Sequence, residues 1–460
     1  MTSTAMSATQ RLGQSLERFR TQAFEPVVWQ KATMCLLDAL ALAHVARDEH
    51  TALAMRDLTT PLPADVPGVR LWPYGIQATL PEAVAANAVA VHGHFHDDSD
   101  PASWCHPGSL IVPAAVGVAE LSGGTLETVL RSIIAGYSTL SWLGDKEHVA
   151  HALIQRGVRT SPAFGTIGAA AAASIGFGLT AQQAANAVAI ATSMTGGLLE
   201  PLRCGSDEWR VQNAQAARGG VLAAQLAARQ VTGASTALEG TKGFLQTYAG
   251  VSEVPESWQQ PLRPEAILAI YAKPWATLGD NMAAVRAAKL MHDDGIDTSK
   301  IVSLQIKILR AFAEYPGTSF KGPFTLPVQA LASTGFATAA MLLFGDLEYD
   351  VSLEQRNNPS LLALVQKSTV VPNDLGTKLD AELTVVMSDQ SVRVRHAAEA
   401  PRTWLYHDPK TSIAIFQKRM SSRGFSPQGS HDFAVELFKA NVREQSIKSL
   451  LAHCSLDVKR

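Results

Sequence analysis

The sequence predicts a mainly α fold, in which a smaller α+β domain is inserted into a large all-helical domain. Apolar residues recur at helical spacing through the first 270 residues, and alternating β-branched segments are confined to the stretch from about 271 to 400. Helical periodicity then returns after residue 400. We therefore expect residues 1–270 to form the first part of the helical domain, 271–400 the α+β domain, and 401–460 C-terminal helices that rejoin the helical domain.

Helical periodicity and helix-boundary residues define the first domain. Capping boxes at Thr79–Glu82 and Thr180–Gln183 indicate two helix starts, and Gly123-Gly124 indicates a helix end. The predicted helices are Pro26–Arg47, a helix beginning at Thr79, Ile111–Leu121, Thr125–Leu143, two alanine-rich helices between Gly165 and Thr195, and Ala216–Arg229. The small residues of the alanine-rich helices would let their backbones approach closely.

The α+β domain is predicted from two alternating segments. Ile301–Ile308 is rich in β-branched residues, and Leu383–Val394 alternates around a turn at Ser388-Asp389. Beyond this domain, Ser412–Met420 and Asp432–Ala452 return to helical spacing.

Composition narrows the function classes. A net charge of −2 over 460 residues indicates neither nucleic acid nor an anionic membrane as a partner. Charged residues make up 17%, below the roughly 25% of an average soluble domain, so we expect a homo-oligomer. The four cysteines lack metal or disulfide spacing, and the N-terminus lacks an apolar signal core. These features predict a soluble cytoplasmic protein.

Titratable residues concentrate between His92 and Ser109. Four of the 13 histidines and three aspartates fall within 15 residues. Pro101 and the Pro107-Gly108 pair disfavour a helix, so we expect the acids and His106 to lie on a loop between two helices. A loop held by rigid helices can direct several side chains into one cleft, which favours an active site over a solvated connection.

A metal site is the first alternative for this loop. His92, His94, His96 and Asp97 are residue types that bind zinc or iron, although on a helix His94 would point away from the other two histidines. The sequence has no P-loop, dinucleotide-binding or nucleophile-elbow motif. We therefore expect no metal and no organic cofactor.

Three further positions indicate an anionic ligand. Lys273 stands where the helical pattern ends, and domain junctions commonly form clefts. Tyr315 is expected to end the first strand of the α+β domain and to reach that cleft. Arg159, Thr160 and Ser161 precede an alanine-rich helix, and an arginine at a helix N-terminus suits carboxylate binding. Ordinary capping or hinge roles remain open for these residues.

Several short motifs occur in a fixed order along the chain. They are Asp97-Asp98-Ser99, His106-Pro107-Gly108-Ser109, Arg156-Gly157 with Phe164-Gly165, Ala216-Ala217 before Gly220, Leu238-Glu239-Gly240 with Gly243-Phe244, and Lys273-Pro274. In these motifs the chain resembles the MmgE/PrpD family, which includes 2-methylcitrate dehydratases, cis-aconitate decarboxylases and iminodisuccinate epimerases. The resemblance implies a helical domain built from both ends of the chain, an α+β lid and a homodimer.

The resemblance also implies roles for individual residues. Catalytic roles carry over to His106, Asp97, Lys273 and Tyr315, and substrate binding to Asp98 and Ser99, beside the binding expected of Arg159, Thr160 and Ser161. Four positions depart from the common family pattern. An acid is replaced by Phe95, a histidine by Arg159, a lysine by Trp209, and a histidine or cysteine by Leu278.

Together these observations predict a cofactor-independent lyase, a dehydratase or a decarboxylase, that acts next to a carboxylate of a small polycarboxylate such as 2-methylcitrate or cis-aconitate. His106 would transfer a proton, with Asp97 or Asp98 orienting it, and Lys273 and Arg159 would anchor carboxylates. Tyr315 or Ser99 would supply a proton. An epimerase of a dicarboxylate, an inactive carboxylate-binding member of the family and a metal-dependent hydrolase stay open as alternatives.

Overall fold

The structure is a computed structural model that describes residues 6–374, 376–400 and 402–454. Its α-helices are α1 (Ala8–Phe19), α2 (Pro26–Val45), α3 (His50–Leu58), α4 (Leu80–His92), α5 (Pro107–Ser122), α6 (Leu126–Gly144), α7 (His148–Gln155), α8 (Thr160–Gly176), α9 (Ala181–Ser193), α10 (Glu200–Cys204), α11 (Glu208–Ala228), α12 (Met282–Asp293), α13 (Arg310–Ala313), α14 (Pro327–Ala332), α15 (Thr334–Phe344), α16 (Tyr349–Glu354), α17 (Pro359–Lys367), α18 (Pro409–Ser421), α19 (Pro427–Leu437) and α20 (Ile447–Cys454). The strands are β1 (Val69–Arg70), β2 (Gln77–Ala78), β3 (Ile301–Leu309), β4 (Ser368–Asn373), β5 (Ala381–Met387) and β6 (Val392–His396).

The mainly α fold predicted from the sequence is confirmed. One cluster of buried apolar residues contains residues from Ala8 to Ile270 together with residues from Phe416 to Leu451 in the C-terminal helices. A second cluster runs from Tyr271 to Leu405. The boundaries at residues 270 and 400 stay predictions, which this distribution of buried residues supports. Residues 1–5 and 455–460 lie outside the described residues. They belong to the first and the last predicted segments.

The alanine-rich helices pack as closely as their composition predicts. α8 packs against α11, α6 and α5. A Cβ added at Gly220 of α11 would lie 2.5 Å from both the Thr166 carbonyl oxygen and the Ala169 Cβ of α8. The two helix backbones therefore touch at a point where only glycine fits. This close packing holds the N-terminus of α8, which carries Arg159, Thr160 and Ser161, rigidly in place.

The smaller domain contains a four-stranded sheet with the strand order β4–β3–β5–β6. β3 pairs in parallel with β4 and antiparallel with β5, and β5 and β6 form the hairpin predicted around Ser388-Asp389. β4 was absent from the sequence expectations, because its segment Ser368–Asn373 is only partly buried and contains Pro372. The helices α12, α15 and α17 cover the sheet.

Four local expectations need correction. Helix α5 begins at Pro107 and not near Ile111, since the first turn of a helix tolerates a proline that has no N–H to donate. The Thr79 hydroxyl donates to the Glu82 carboxylate at 2.6 Å and leaves the helix amides uncapped. The segment Asp432–Ala452 divides into two helices, α19 and α20. Tyr315 follows the short helix α13 and does not end strand β3.

Within the described residues, no helix combines the length and the apolar character that crossing a bilayer requires.

Candidate active site

The loop between α4 and α5, residues 93–106, is clamped between the two domains. The Ser99 amide donates to the Tyr271 carbonyl at 2.9 Å, and the Tyr271 amide donates to the Ser99 carbonyl at 3.1 Å. Tyr271 is the first residue of the predicted small domain. The pair of hydrogen bonds thus fixes the loop beside the junction where a cleft was expected.

Two large side chains in this loop have backbone conformations that favour glycine. Phe95 has φ 55° and Trp104 has φ 58°. A left-handed conformation costs a residue with a Cβ roughly 1–2 kcal/mol. Such strain tends to be retained at functional sites, where the surrounding structure holds it in place.

His106 is the N-cap residue of α5, and its backbone amide donates to the Ser161 hydroxyl at 3.1 Å. Its Nδ1 lies 3.1 Å from the Asp98 carbonyl oxygen, which can only accept, so Nδ1 carries the proton of the neutral ring. Nε2 has no hydrogen-bond partner among the described residues. Burial and then the charge of Lys273 lower the pKa of His106 well below its ordinary value. The ring is therefore neutral at pH 7 and offers Nε2 as a base.

The two carboxylates expected to orient His106 have other partners. Asp97 accepts from Nδ1 of His92 at 2.9 Å. Asp98 accepts from the Gly108 amide and from the Tyr137 hydroxyl, each at 2.7 Å, and burial raises its pKa to about 7. The main-chain carbonyl of Asp98 orients the imidazole instead, because both carboxylates point away from it into the protein.

Arg159 continues the network that starts at Asp97. Its Nη2 donates to Nε2 of His92 at 2.8 Å, and its Nη1 donates to the Trp209 carbonyl oxygen at 2.6 Å. Burial followed by the charge of Arg159 lowers the pKa of His92, so this histidine is neutral and links a buried acid to a buried cation. Thr160 donates to the Trp104 carbonyl oxygen at 2.8 Å. Arg159, Thr160 and Ser161 thus hold the loop through hydrogen bonds to His92, Trp104 and His106.

A small, partly open chamber of about 40 Å³ lies on the other side of the loop. Its lining brings together His106, Ser99 and Tyr315, three of the residues predicted from the sequence. It also contains Asp280 and Lys378, which the sequence analysis missed. Asp280 precedes α12 in the position of an ordinary helix-capping acid, and Lys378 lies in a polar turn between β4 and β5. Neither position carries a sequence signal that separates it from a surface residue.

A wider cleft of about 1,020 Å³ adjoins the chamber and shares Trp104, Tyr315 and Lys378 with its lining. The Lys378 ammonium lies 3.0 Å from the Glu147 carboxylate and 4.9 Å from the centre of the Trp104 ring, and it also donates to the Pro101 carbonyl oxygen. Glu147 comes from the helical part of the chain. Trp104, Glu147 and Lys378 therefore form the wall between the chamber and the cleft, and we call these three residues the gate.

Lys273 lies deeper than the chamber. It is fully buried and donates to the carbonyl oxygens of Phe95 and Thr277, the latter at 3.1 Å. Burial lowers its pKa to about 8, and Asp97 and Asp98 partly offset this. Its ammonium does not belong to the chamber lining. Lys273 therefore acts on the chamber only indirectly, through its charge and through its hydrogen bond to the Phe95 carbonyl oxygen of the loop.

The histidines considered as metal ligands have arginine neighbours. His92 faces Arg159, and Nε2 of His96 lies 3.1 Å from Nη2 of Arg419. In the part of the chain that the structure describes, no three His, Cys, Asp or Glu side chains are grouped as a metal ion would require. Cations at these ring nitrogens oppose the binding of a further cation.

Comparison with known proteins decides the relationship. The profile of the MmgE/PrpD N-terminal domain matches residues 10–257, more than half of the chain. The chain belongs to the MmgE/PrpD family. A cis-aconitate decarboxylase-like protein of Aspergillus oryzae is 31% identical over 263 residues, which cover 54% of this chain and 52% of that protein. The chain thus spans about half the length of this relative.

The four departures from the MmgE/PrpD pattern lie together in space. Phe95, Trp209 and Leu278 belong to one buried apolar cluster, and the Phe95 and Trp209 ring centres are 4.7 Å apart. Arg159 donates to the Trp209 carbonyl oxygen. The Phe95 ring also lies 5.0 Å from the His106 ring, on the side of the loop away from the chamber lining. The four positions, which are scattered in the sequence, therefore lie close together in the fold, and Leu278 also lines the chamber.

Proposed function

We propose that this protein is a lyase that breaks a bond next to a carboxylate of a small polycarboxylate, without a metal or an organic cofactor. The observation that carries the proposal is the chamber at the domain junction, where neutral His106 has an unpartnered Nε2 and shares the lining with Ser99, Tyr315 and Lys378. Membership of a family that includes dehydratases and decarboxylases supports an enzymatic function.

Each group has a distinct role in this proposal. Lys378 is the cation within the described chamber lining. It binds a substrate carboxylate when its ion pair with Glu147 breaks and the substrate carboxylate takes the place of Glu147. In a dehydration, Nε2 of His106 accepts the proton from the carbon next to that carboxylate; in a decarboxylation no proton leaves carbon, and Nε2 only accepts a hydrogen bond from the substrate. The Tyr315 and Ser99 hydroxyls donate hydrogen bonds to the enolate-like charge that develops. Asp97, Asp98, Arg159, Thr160, Ser161 and Lys273 hold the loop in the geometry that this chemistry requires.

Decarboxylation is the reaction that we favour within this class. The name of the Aspergillus oryzae relative points to it. The packed cluster of Phe95, Trp209 and Leu278 stands where the family pattern has titratable residues, so fewer proton-transferring groups remain. Loss of carbon dioxide from an unsaturated acid such as cis-aconitate needs one protonation at carbon, whereas epimerisation and dehydration each need two coordinated proton transfers.

Substrate screening with an NMR readout tests the proposal. The purified protein would be incubated with cis-aconitate, 2-methylcitrate, citrate and iminodisuccinate, and proton spectra would be followed after dialysis against EDTA. We expect one of the first three acids to disappear with loss of water or carbon dioxide. Turnover of iminodisuccinate alone would reassign the protein to epimerisation, and activity that EDTA abolishes would overturn the cofactor-free mechanism.

The homodimer expected from the family and from the low charged fraction is part of the proposal. Sedimentation at micromolar concentration should show a species of twice 49.0 kDa. A single species at the monomer mass would contradict it.

A further inference from the structure

Asp280 lies at a tightly fixed turn in the chamber lining. The short 3-10 turn Gly279–Asn281 leads directly into α12. Asn281 anchors this turn, because its Nδ2 donates to the Thr277 hydroxyl at 2.9 Å and its Oδ1 accepts from the Thr334 hydroxyl at 2.7 Å. A Cβ at Gly279 would lie 2.8 Å from the Tyr271 hydroxyl oxygen. The backbone next to Asp280 is therefore fixed against the chamber.

The two carboxylates of the chamber lining differ in how their oxygens are used. Asp100 accepts from the Ser103 hydroxyl at 2.7 Å, the Ala102 amide at 2.9 Å and the Ser141 hydroxyl at 2.9 Å. Asp280 has no hydrogen bond and no ion pair with any described residue. A partly buried carboxyl group without protein partners has its hydrogen-bonding capacity free for a ligand.

The charges around Asp280 come from every element that faces it. Lys378 on the β4–β5 connection and Lys273 at the junction lower its pKa, but neither is within ion-pair distance, since Lys378 is bound to Glu147 and Lys273 to main-chain carbonyls. The other titratable groups of the lining are His106, Tyr271, Tyr315, Cys105 and Asp100. Burial outweighs both lysines and raises the pKa of Asp280 to about 7.

We propose that Asp280 is the general acid of this chamber and gives its proton to the substrate. This assignment rests on the proposed lyase function and deepens it. In a decarboxylation the bond from carbon to the departing carboxylate breaks, carbon dioxide leaves, and the electron pair stays on carbon as an enolate-like anion. The proton of Asp280 then forms the new C–H bond, and water from the outer cleft returns a proton to the Asp280 carboxylate.

Asp280→Asn, Asp280→Glu and the control Asp293→Asn test this role through the pH profile. Asp293 lies on α12 as well, but it is exposed and pairs with Lys289. An acid must be protonated to act, so wild-type kcat should fall as the pH rises through about 7. Asp280→Asn should lower kcat by roughly 10²–10⁴-fold and remove this dependence. Asp280→Glu should restore part of the rate, and Asp293→Asn should behave like the wild type.

A proton titration of the free protein gives a readout that does not depend on turnover. The number of bound protons would be measured against pH for the wild type and for Asp280→Asn. The difference between the two curves should show the release of one proton with a midpoint near pH 7. A midpoint near pH 4, or an Asp280→Asn enzyme with a near-wild-type rate and pH profile, would overturn the assignment. If the wild type converts none of the acids tested, the lyase function falls, and the titration still decides whether Asp280 is held protonated at neutral pH.

Discussion

The loop of residues 93–106 has two faces that use similar residues in opposite ways. On the buried face, Asp97, His92 and Arg159 form a chain in which every charged group has a partner, and Phe95 and Trp209 seal it. On the chamber face, His106 keeps an unpartnered nitrogen. Both faces contain histidine and carboxylate, and they differ in whether these groups have hydrogen-bond partners among the described residues.

The difference shows that satisfied hydrogen bonds separate supporting residues from reacting ones. A buried polar group costs about 1–3 kcal/mol when it has no partner, so proteins rarely leave one unpaired. On the chamber face, Nε2 of His106 and the Asp280 carboxylate have no partner among the described residues, and we propose that a substrate supplies it. Residue type alone, which favours Arg159 and Lys273 as carboxylate binders, does not make this distinction.

The largest expected effect comes from removing the base on the chamber face. In a dehydration His106→Ala should lower kcat by roughly 10²–10⁴-fold, because it removes the group that accepts the proton from carbon; in a decarboxylation, where no proton leaves carbon, the loss should be smaller. His148→Ala is the matched control, since His148 is an exposed histidine on α7. Steady-state rates and circular dichroism would be measured for both variants. A folded His106→Ala enzyme with a near-wild-type rate would show that proton transfer belongs to another residue.

On the buried face, the largest effect should be on stability. Phe95→Ala removes a ring that is 1% exposed and packs against Trp209, so it should cost about 3–5 kcal/mol of unfolding free energy. Denaturant unfolding measures this cost. Val302→Ala, at an exposed position on β3, serves as the control. If Phe95→Ala lost activity without losing stability, the two faces would not differ in the way described.

Two lysines, one on each face, allow a direct comparison of binding. Lys378→Met should weaken binding of a tricarboxylate at least tenfold at low salt, because a charge-assisted contact contributes about 1.5–3 kcal/mol. Lys273→Met should weaken it less, since its ammonium is bound to carbonyl oxygens. Calorimetry would measure both, with Lys321→Met on the same domain as control. The reverse order of effects would return the carboxylate-binding role to Lys273.

The smallest effect concerns how stability depends on pH. Burial raises the folded-state pKa of Asp280 to about 7, so the folded protein holds a proton that the unfolded chain has released above about pH 4. Stability from this group is therefore lost as the pH rises from about 4 to 7. Asp280→Asn should be more stable than the wild type by on the order of 1 kcal/mol at pH 8 and by less at pH 5. Thermal unfolding at the two pH values checks this, and an equal difference at both would contradict it.

The sequence predicted the elements that depend on periodicity and local chemistry. The helix α2, the capping box at Thr180 and the hairpin β5–β6 follow from spacing and turn residues, and the structure contains them. It also predicted that the acids and His106 share one loop. Lys378 and Asp280 were not found, because contacts between distant segments bring them into the chamber and nothing in their local sequence marks them. The buried position of Lys273 depends in the same way on long-range packing.

The gate has a consequence for how fast a ligand enters. Glu147 and Lys378 are held together across the two parts of the chain by an ion pair at the mouth of the cleft. Added salt screens such a pair, whereas it usually slows the capture of a charged ligand by an oppositely charged site. We therefore expect the association rate of a polycarboxylate to fall less with added salt than long-range electrostatic attraction alone predicts. Salt weakens the attraction between ligand and site, but it also weakens the Glu147–Lys378 ion pair and so makes the gate easier to open. Replacing Glu147 by Gln should remove this compensation and leave an association rate that falls steadily with ionic strength.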